Sequence, residues 1–128
     1  GEVLKVRCSD GDYRALKVLP CDGRRLGAAQ REAAYAEARL LQRLRHPHIV
    51  GFHDVLWDEE LQVVQIALEF MDGGDLQGLI LDQRQACAGP FEAHFARRIL
   101  AAVGGALEYI HCAGVLHRDV KPANVLLA

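Results

Sequence analysis

The pentapeptide Met71-Asp72-Gly73-Gly74-Asp75 separates two kinds of sequence, and that separation limits the folds open to this chain. Before it, apolar residues cluster in short β-rich runs, with one helical stretch among them; after it, they recur at helical spacing. Residues 2–8 (EVLKVRC) and 13–19 (YRALKVL) read as strands around a turn-forming Ser-Asp-Gly-Asp, the signature of a hairpin. Residues 20–24 (PCDGR) break that pattern. Residues 28–44 then read as a long helix with Ala33, Leu40, Leu41 and Leu44 on one face, stopped at Pro47. Residues 49–57 and 61–70 read as a second hairpin around Asp-Glu-Glu. Beyond the glycines come a short amphipathic helix at 76–85 and a long helix at 91–113, which Gly114 is placed to end in the left-handed conformation. Strands with one helix, followed by helices alone, predict an α+β fold of two unlike layers. A flexible Gly-Gly hinge between two such halves is a common place for a ligand cleft.

Composition narrows the function. An apolar share of 51% over 128 residues sustains a packed core. A net charge of -2 argues against a non-specific nucleic-acid binder, so no nucleic-acid partner is expected. No apolar run approaches the roughly 20 residues of a membrane span, so no membrane association is expected. The chain opens on Gly, with no basic-then-apolar leader. Cys8, Cys21, Cys87 and Cys112 are irregularly spaced and read as reduced thiols of a cytoplasmic protein. His46, His48 and His53 lack cysteine partners at zinc-site spacing.

Two charged residues stand where apolar ones would be easier to place. Glu37 falls within the apolar stripe of helix 28–44, where a carboxylate is costly unless a cation meets it or it leans out to water from the stripe's edge. Lys17 shares a strand face with Ala15, while Leu16 and Val18 take the other. A lone strand lysine is usually a solvated edge residue; pairing it with Glu37 would satisfy both.

The densest chemistry lies at 117–124, His-Arg-Asp-Val-Lys-Pro-Ala-Asn. This octapeptide resembles the catalytic loop of eukaryotic-type protein kinases. Other segments are similar to that family in the same order: Gly1-x-Val3 to the end of the glycine-rich phosphate loop, Ala15-Leu16-Lys17 to the phosphate-binding strand, Glu37 to the helix glutamate that pairs with that lysine, and LEFMDGGDL at 68–76 to the hinge. The resemblance implies a partial kinase domain over 1–128, with a small lobe at 1–70, a hinge at 71–75 and the start of a large lobe at 76–128. It implies ATP and Mg²⁺ as cofactors and a protein substrate with a Ser or Thr acceptor. Lys121, two residues after Asp119, goes with Ser/Thr rather than Tyr specificity in that family, and FMDGGDL is faintly similar to NIMA-related kinases.

Residue roles follow from the same resemblance. Asp119 would accept the proton of the substrate hydroxyl, Asn124 would offer its side-chain oxygen to Mg²⁺, and Lys121 would place positive charge beside the transferring phosphoryl group. Lys17 would neutralise the α- and β-phosphates, held by Glu37. Gly1 and Val3 belong to the phosphate loop; Val3 and Ala15 would cover one face of the adenine and Leu126 the other. Leu68 would close the back of the pocket, the backbones of Glu69 and Met71 would bond the adenine edge, and Asp75 would reach the ribose. His117 would prop the loop, and Arg118 would await a phosphorylated activation segment.

The resemblance also implies a following strand that carries Asp-Phe-Gly, whose Asp would bind Mg²⁺; no Asp-Phe-Gly occurs in these residues, so the chain reads as an excerpt ending before that motif. The run VLLA (125–128) is expected to be a strand, and Phe95, Ile99, Leu100, Val103, Leu107 and Ile110 to lie partly bare, leaving the isolated chain poorly stable and without turnover. The alternative is a non-catalytic kinase-like module that binds a nucleotide or a partner. Oligomeric state and physiological substrate leave no signature in these residues.

Overall fold

The structure, a computed structural model, describes residues 2–22 and 27–128. The chain divides into two compact units, Gly1–Phe70 and Met71–Ala128.

In the first unit, strands β1 (Glu2–Arg7), β2 (Tyr13–Pro20), β3 (Phe52–Asp58) and β4 (Val63–Glu69) form one antiparallel sheet in the order β1-β2-β4-β3. Helix α1 (Gly27–Arg43) packs on β3 and β4. The β1–β2 turn closes through Cys8 and Asp12, whose backbones bond at 2.8 Å, with Gly11 at φ 92°. Alternation along β2 sends Ala15, Lys17 and Leu19 to the face whose β4 partners are Leu68, Ile66 and Val64. That face meets α1: Cys21, Ala34, Ala38, Val64 and Ile66 are buried, with Leu19, Tyr35, Leu41, Phe52, Val55, Trp57 and Leu68 packed around them. Burying Val64 and Ile66 contributes about 1.5–3 kcal/mol each.

The face of α1 differs in part from the stripe read in the sequence, Ala33/Ala34, Leu40/Leu41 and Leu44: Ala34 and Leu41 belong to the core as read. The buried positions are Ala34 and Ala38, one turn apart, whereas Ala33 is exposed and Leu40 is 37% exposed. Small residues let the helix approach the sheet closely, so the pair of alanines sets the contact and rotates the larger Leu40 outward. The second hairpin is also shorter than expected. Leu61 and Gln62 belong to the turn rather than the strand: the Leu61 N–H donates to Asp58 Oδ1 at 2.9 Å, and Gln62 takes φ 52°. Residues 49–51 precede β3, and the ladder is irregular between Phe52 and Asp54.

In the second unit, α2 (Leu76–Gln85) is followed by α3 (Ala93–Cys112) and a 3₁₀ turn at Pro122–Asn124. Asp75 caps α2 by accepting the Gly78 N–H at 2.8 Å. Gly114, at φ 73°, ends α3 as its position suggests, with Val115 N bonding Ile110 O and Gly114 N bonding His111 O, the paired bonds of a Schellman motif. Ile110 is buried, against the expectation that it lies partly bare, while Leu100 is 71% exposed. Residues 125–128 are not a strand; a single antiparallel bridge joins Leu126 to Asp75. Among the described residues no helix is long and apolar enough to cross a membrane.

Candidate active site

The first unit supplies a paired cation and acid. Lys17 leaves β2 toward the helix-covered face, and its Nζ donates to Glu37 Oε1 at 2.5 Å. Both side chains are about one-third exposed, 32% for Lys17 and 38% for Glu37. Glu37 therefore takes both courses open to it: it sits at the edge of the buried Ala34–Ala38 stripe, and it meets a cation. The carboxylate restrains the ammonium without removing it from water, so Lys17 keeps donors for an anion.

Around this pair lie several of the apolar candidates. Val3 is the cross-strand partner of Lys17, and Ala15 the partner of Leu68. Val3, Ala15, Lys17 and Leu68 thus share one face, with Val3 62% exposed. Gly1 lies outside the described residues. Glu69 ends β4 with a reciprocal pair: its N–H donates to Gly51 O at 2.8 Å, and its Oε2 accepts the Gly51 N–H at 3.0 Å. Sequence reasoning assigned Glu69 only a backbone role; the side chain fixes the entry to β3.

The second unit gathers the other candidates. Asp75, besides capping α2, lies beside Leu126: Leu76 N bonds Val125 O, Leu127 N bonds Gly74 O, and Gly73 N bonds Leu127 O, each at 2.9 Å. The two glycines before it are structural rather than a flexible connector. A Cβ on Gly73 would stand 2.6 Å from the Leu127 carbonyl oxygen, and Gly74 takes φ 73°. Met71 opens this segment.

Asp119, Lys121 and Asn124 converge because Pro122 starts a 3₁₀ turn where no donor is needed. The turn closes with Asn124 N on Lys121 O at 2.9 Å and carries the Asn124 amide back to Asp119. Asn124 Nδ2 donates to the Asp119 carbonyl at 2.8 Å and to its Oδ2 at 3.0 Å, and Lys121 Nζ lies 3.0 Å from that same Oδ2. These donors hold the Asp119 carboxyl below its ordinary value, Lys121 first and Asn124 next. Two consequences follow for chemistry. Among the described residues, Asp119 Oδ1 has no hydrogen-bond partner and is the oxygen open to an incoming proton. The Asn124 amide is oriented by its two acceptors, so its Oδ1 points elsewhere, a hard oxygen of the kind Mg²⁺ takes.

His117 braces the loop from within, its Nδ1 accepting the Asp119 N–H at 3.2 Å. Arg118, between them, stands at φ 64°, a left-handed conformation rare for a side chain of this size. Nothing in residue type announces it; strain of this kind clusters at functional sites and persists where neighbours over-determine it.

The family profile described as "Protein kinase domain" matches residues 1–128. The chain is 34% identical over 119 residues to serine/threonine-protein kinase ssp1 of Schizosaccharomyces pombe, covering 88% of this chain and 18% of that protein. It is 31% identical over 118 residues to serine/threonine-protein kinase ULK3 of Homo sapiens, covering 91% and 24%. With CBL-interacting protein kinase 4 of Oryza sativa subsp. japonica it shares 41% identity over 93 residues, 71% of this chain and 19% of that one. The chain thus spans about a quarter or less of the length of these curated relatives. With its four-stranded antiparallel sheet, the helix packed against it and a profile match along its whole length, this chain belongs to the protein kinase domain family.

Proposed function

We propose that the protein bearing this chain transfers the γ-phosphoryl group of ATP to Ser or Thr hydroxyls of protein substrates. The observation that carries the reading is the geometry of Asp119: gripped at Oδ2 by Lys121 and Asn124, which hold its carboxyl below the ordinary value, and open at Oδ1. A carboxylate so held can orient a hydroxyl and take its proton, while the Lys121 ammonium beside it offsets negative charge on the group in transfer. Lys17 binds nucleotide phosphates, and Glu37 fixes its direction. Val3, Ala15 and Leu68, which share one face of the sheet, supply apolar cover for the base. In the second unit, the cap leaves one Asp75 carboxylate oxygen over for a ribose hydroxyl. Asn124 Oδ1 fits a hard cation and would hold Mg²⁺. Bound Mg²⁺ neutralises phosphate charge; Asn124 is the ligand this chain contributes from the described residues.

The test is phosphorylation of a generic Ser/Thr peptide by the full-length protein that bears this chain. Asp119→Asn is expected to lower kcat by about 10²–10⁴-fold, the usual worth of a positioned base. Lys17→Met is expected to lower kcat/KM by roughly 10²-fold or more. Unchanged turnover in either variant overturns the role proposed for that residue. Nucleotide binding by a wild-type full-length protein that transfers no phosphate to any hydroxyl would point to a non-catalytic module instead.

A further inference from the structure

Lys5 has no part in the proposed phosphoryl transfer, yet its surroundings are specific. It lies on β1 opposite Ala15, on the same face of the sheet as Val3 and Lys17. Its Nζ stands 4.2 Å from the Tyr13 ring centroid and 4.5 Å from that of Phe70. The two rings are 6.2 Å apart and inclined by 50°, so the ammonium is attracted to both. Tyr13 opens β2, and Phe70 directly follows β4. One side chain therefore ties the edge strand to its neighbour and to the strand beyond.

Among the described residues, that tie has no counterpart on β1. β1 is an edge strand, and Val3 upon it is too exposed to be held by packing. Among the described residues, no other β1 side chain has a hydrogen bond, ion pair or ring contact. What fixes β1 on this face, apart from its ladder to β2, is Lys5.

We propose that Lys5 is a positioning residue for the nucleotide: captured between Tyr13 and Phe70, it holds β1, and with it Val3, in place beside Ala15 and Lys17 on the face they share. The proposal rests on the reading of that face as a nucleotide site. It predicts a dependence on charge beyond that on bulk, because a methylene stem packs on ring faces with or without the ammonium, whereas attraction to the ring quadrupole needs the cation.

The experiment compares wild type, Lys5→Met, Lys5→Arg, Tyr13→Leu and the Lys5→Met/Tyr13→Leu double variant in the full-length protein that bears this chain. ATP affinity, kcat and KM for ATP are measured, together with amide exchange over residues 2–7 without nucleotide. Lys5→Met is expected to raise KM for ATP by about 2- to 5-fold with kcat unchanged, and to speed exchange in β1. Lys5→Arg, which keeps the cation, is expected to stay near wild type. Tyr13→Leu should match Lys5→Met, and the double variant should add little to either. Unchanged KM in Lys5→Met, a fall in kcat with it, or equal damage in Lys5→Arg overturns the proposal. A wild-type chain that binds no ATP overturns the nucleotide reading itself, and β1 exchange that is the same in wild type and Lys5→Met overturns the tie independently of any nucleotide.

Discussion

Asp119 is open to solvent, yet two donors grip one of its oxygens, so its charge is maintained by hydrogen bonds rather than by burial. A carboxyl held below its unfolded value contributes stability above that value and loses it as pH falls through the folded one. The titration midpoint of Asp119, followed by carbon NMR, is therefore expected below the ordinary 3.8, and Lys121→Met should move it upward. Asp119 then stays ionised at neutral pH, as proton acceptance requires. Glu37 presents the opposite balance. Its ion pair with Lys17 is partly exposed, and such pairs add no more than about 1 kcal/mol to stability. Glu37→Gln is thus expected to leave chemical denaturation nearly unchanged while lowering kcat/KM roughly 10- to 100-fold through a misdirected Lys17. Equal losses in stability and activity would show that Glu37 serves the fold alone. The sequence announced this pair, because a carboxylate in an apolar stripe and a lysine within a strand each need an explanation. Arg118 shows what it did not announce, since a left-handed backbone at a bulky residue leaves no mark in composition.

At the level of elements, the segment before α2 performs two tasks with the same atoms. Asp75 caps the helix, and Gly73 before it admits the backbone of Leu127. Asp75→Ala is expected to cost about 0.5–2 kcal/mol by loss of the cap, while Asp75→Asn should cost little. Gly73→Ala, whose new methyl would overlap the Leu127 carbonyl, is expected to cost about 1–3 kcal/mol. Gly74→Ala meets open space and is expected to cost about 1–2 kcal/mol from its positive φ alone. Denaturant titration monitored within α2 separates the three. From sequence this pentapeptide reads as a flexible connector, because composition shows glycine but not what passes beside it. The cap of α3 was legible, since Gly114 after a periodic run has one common use. The buried face of α1 was not: Ala33, Ala34 and Ala38 are equally apolar, and only the sheet decides which of them it covers.

Across the whole chain, the buried apolar residues are unevenly shared. Cys21, Ala34, Ala38, Val63, Val64 and Ile66 precede Phe70, and Ile110 is the one described residue of this kind after it. Hydrogen exchange of the 128-residue chain is therefore expected to show protected amides in β2 and β4, and opening of the second unit at a cost near that of burying one isoleucine, about 1.5–3 kcal/mol. Protection in α3 equal to that in β4 would contradict this. The sequence by itself determined the order of elements as far as α3 and the residues able to do chemistry, because period, glycine position and an unusual run of polar side chains are local properties of the chain. Tertiary structure alone decided which alanines of α1 are buried, that Gly73 admits a neighbouring backbone, and that Lys5 lies between two rings. Those facts depend on which segment arrives opposite which, and contacts between distant segments are not encoded in any one stretch of residues.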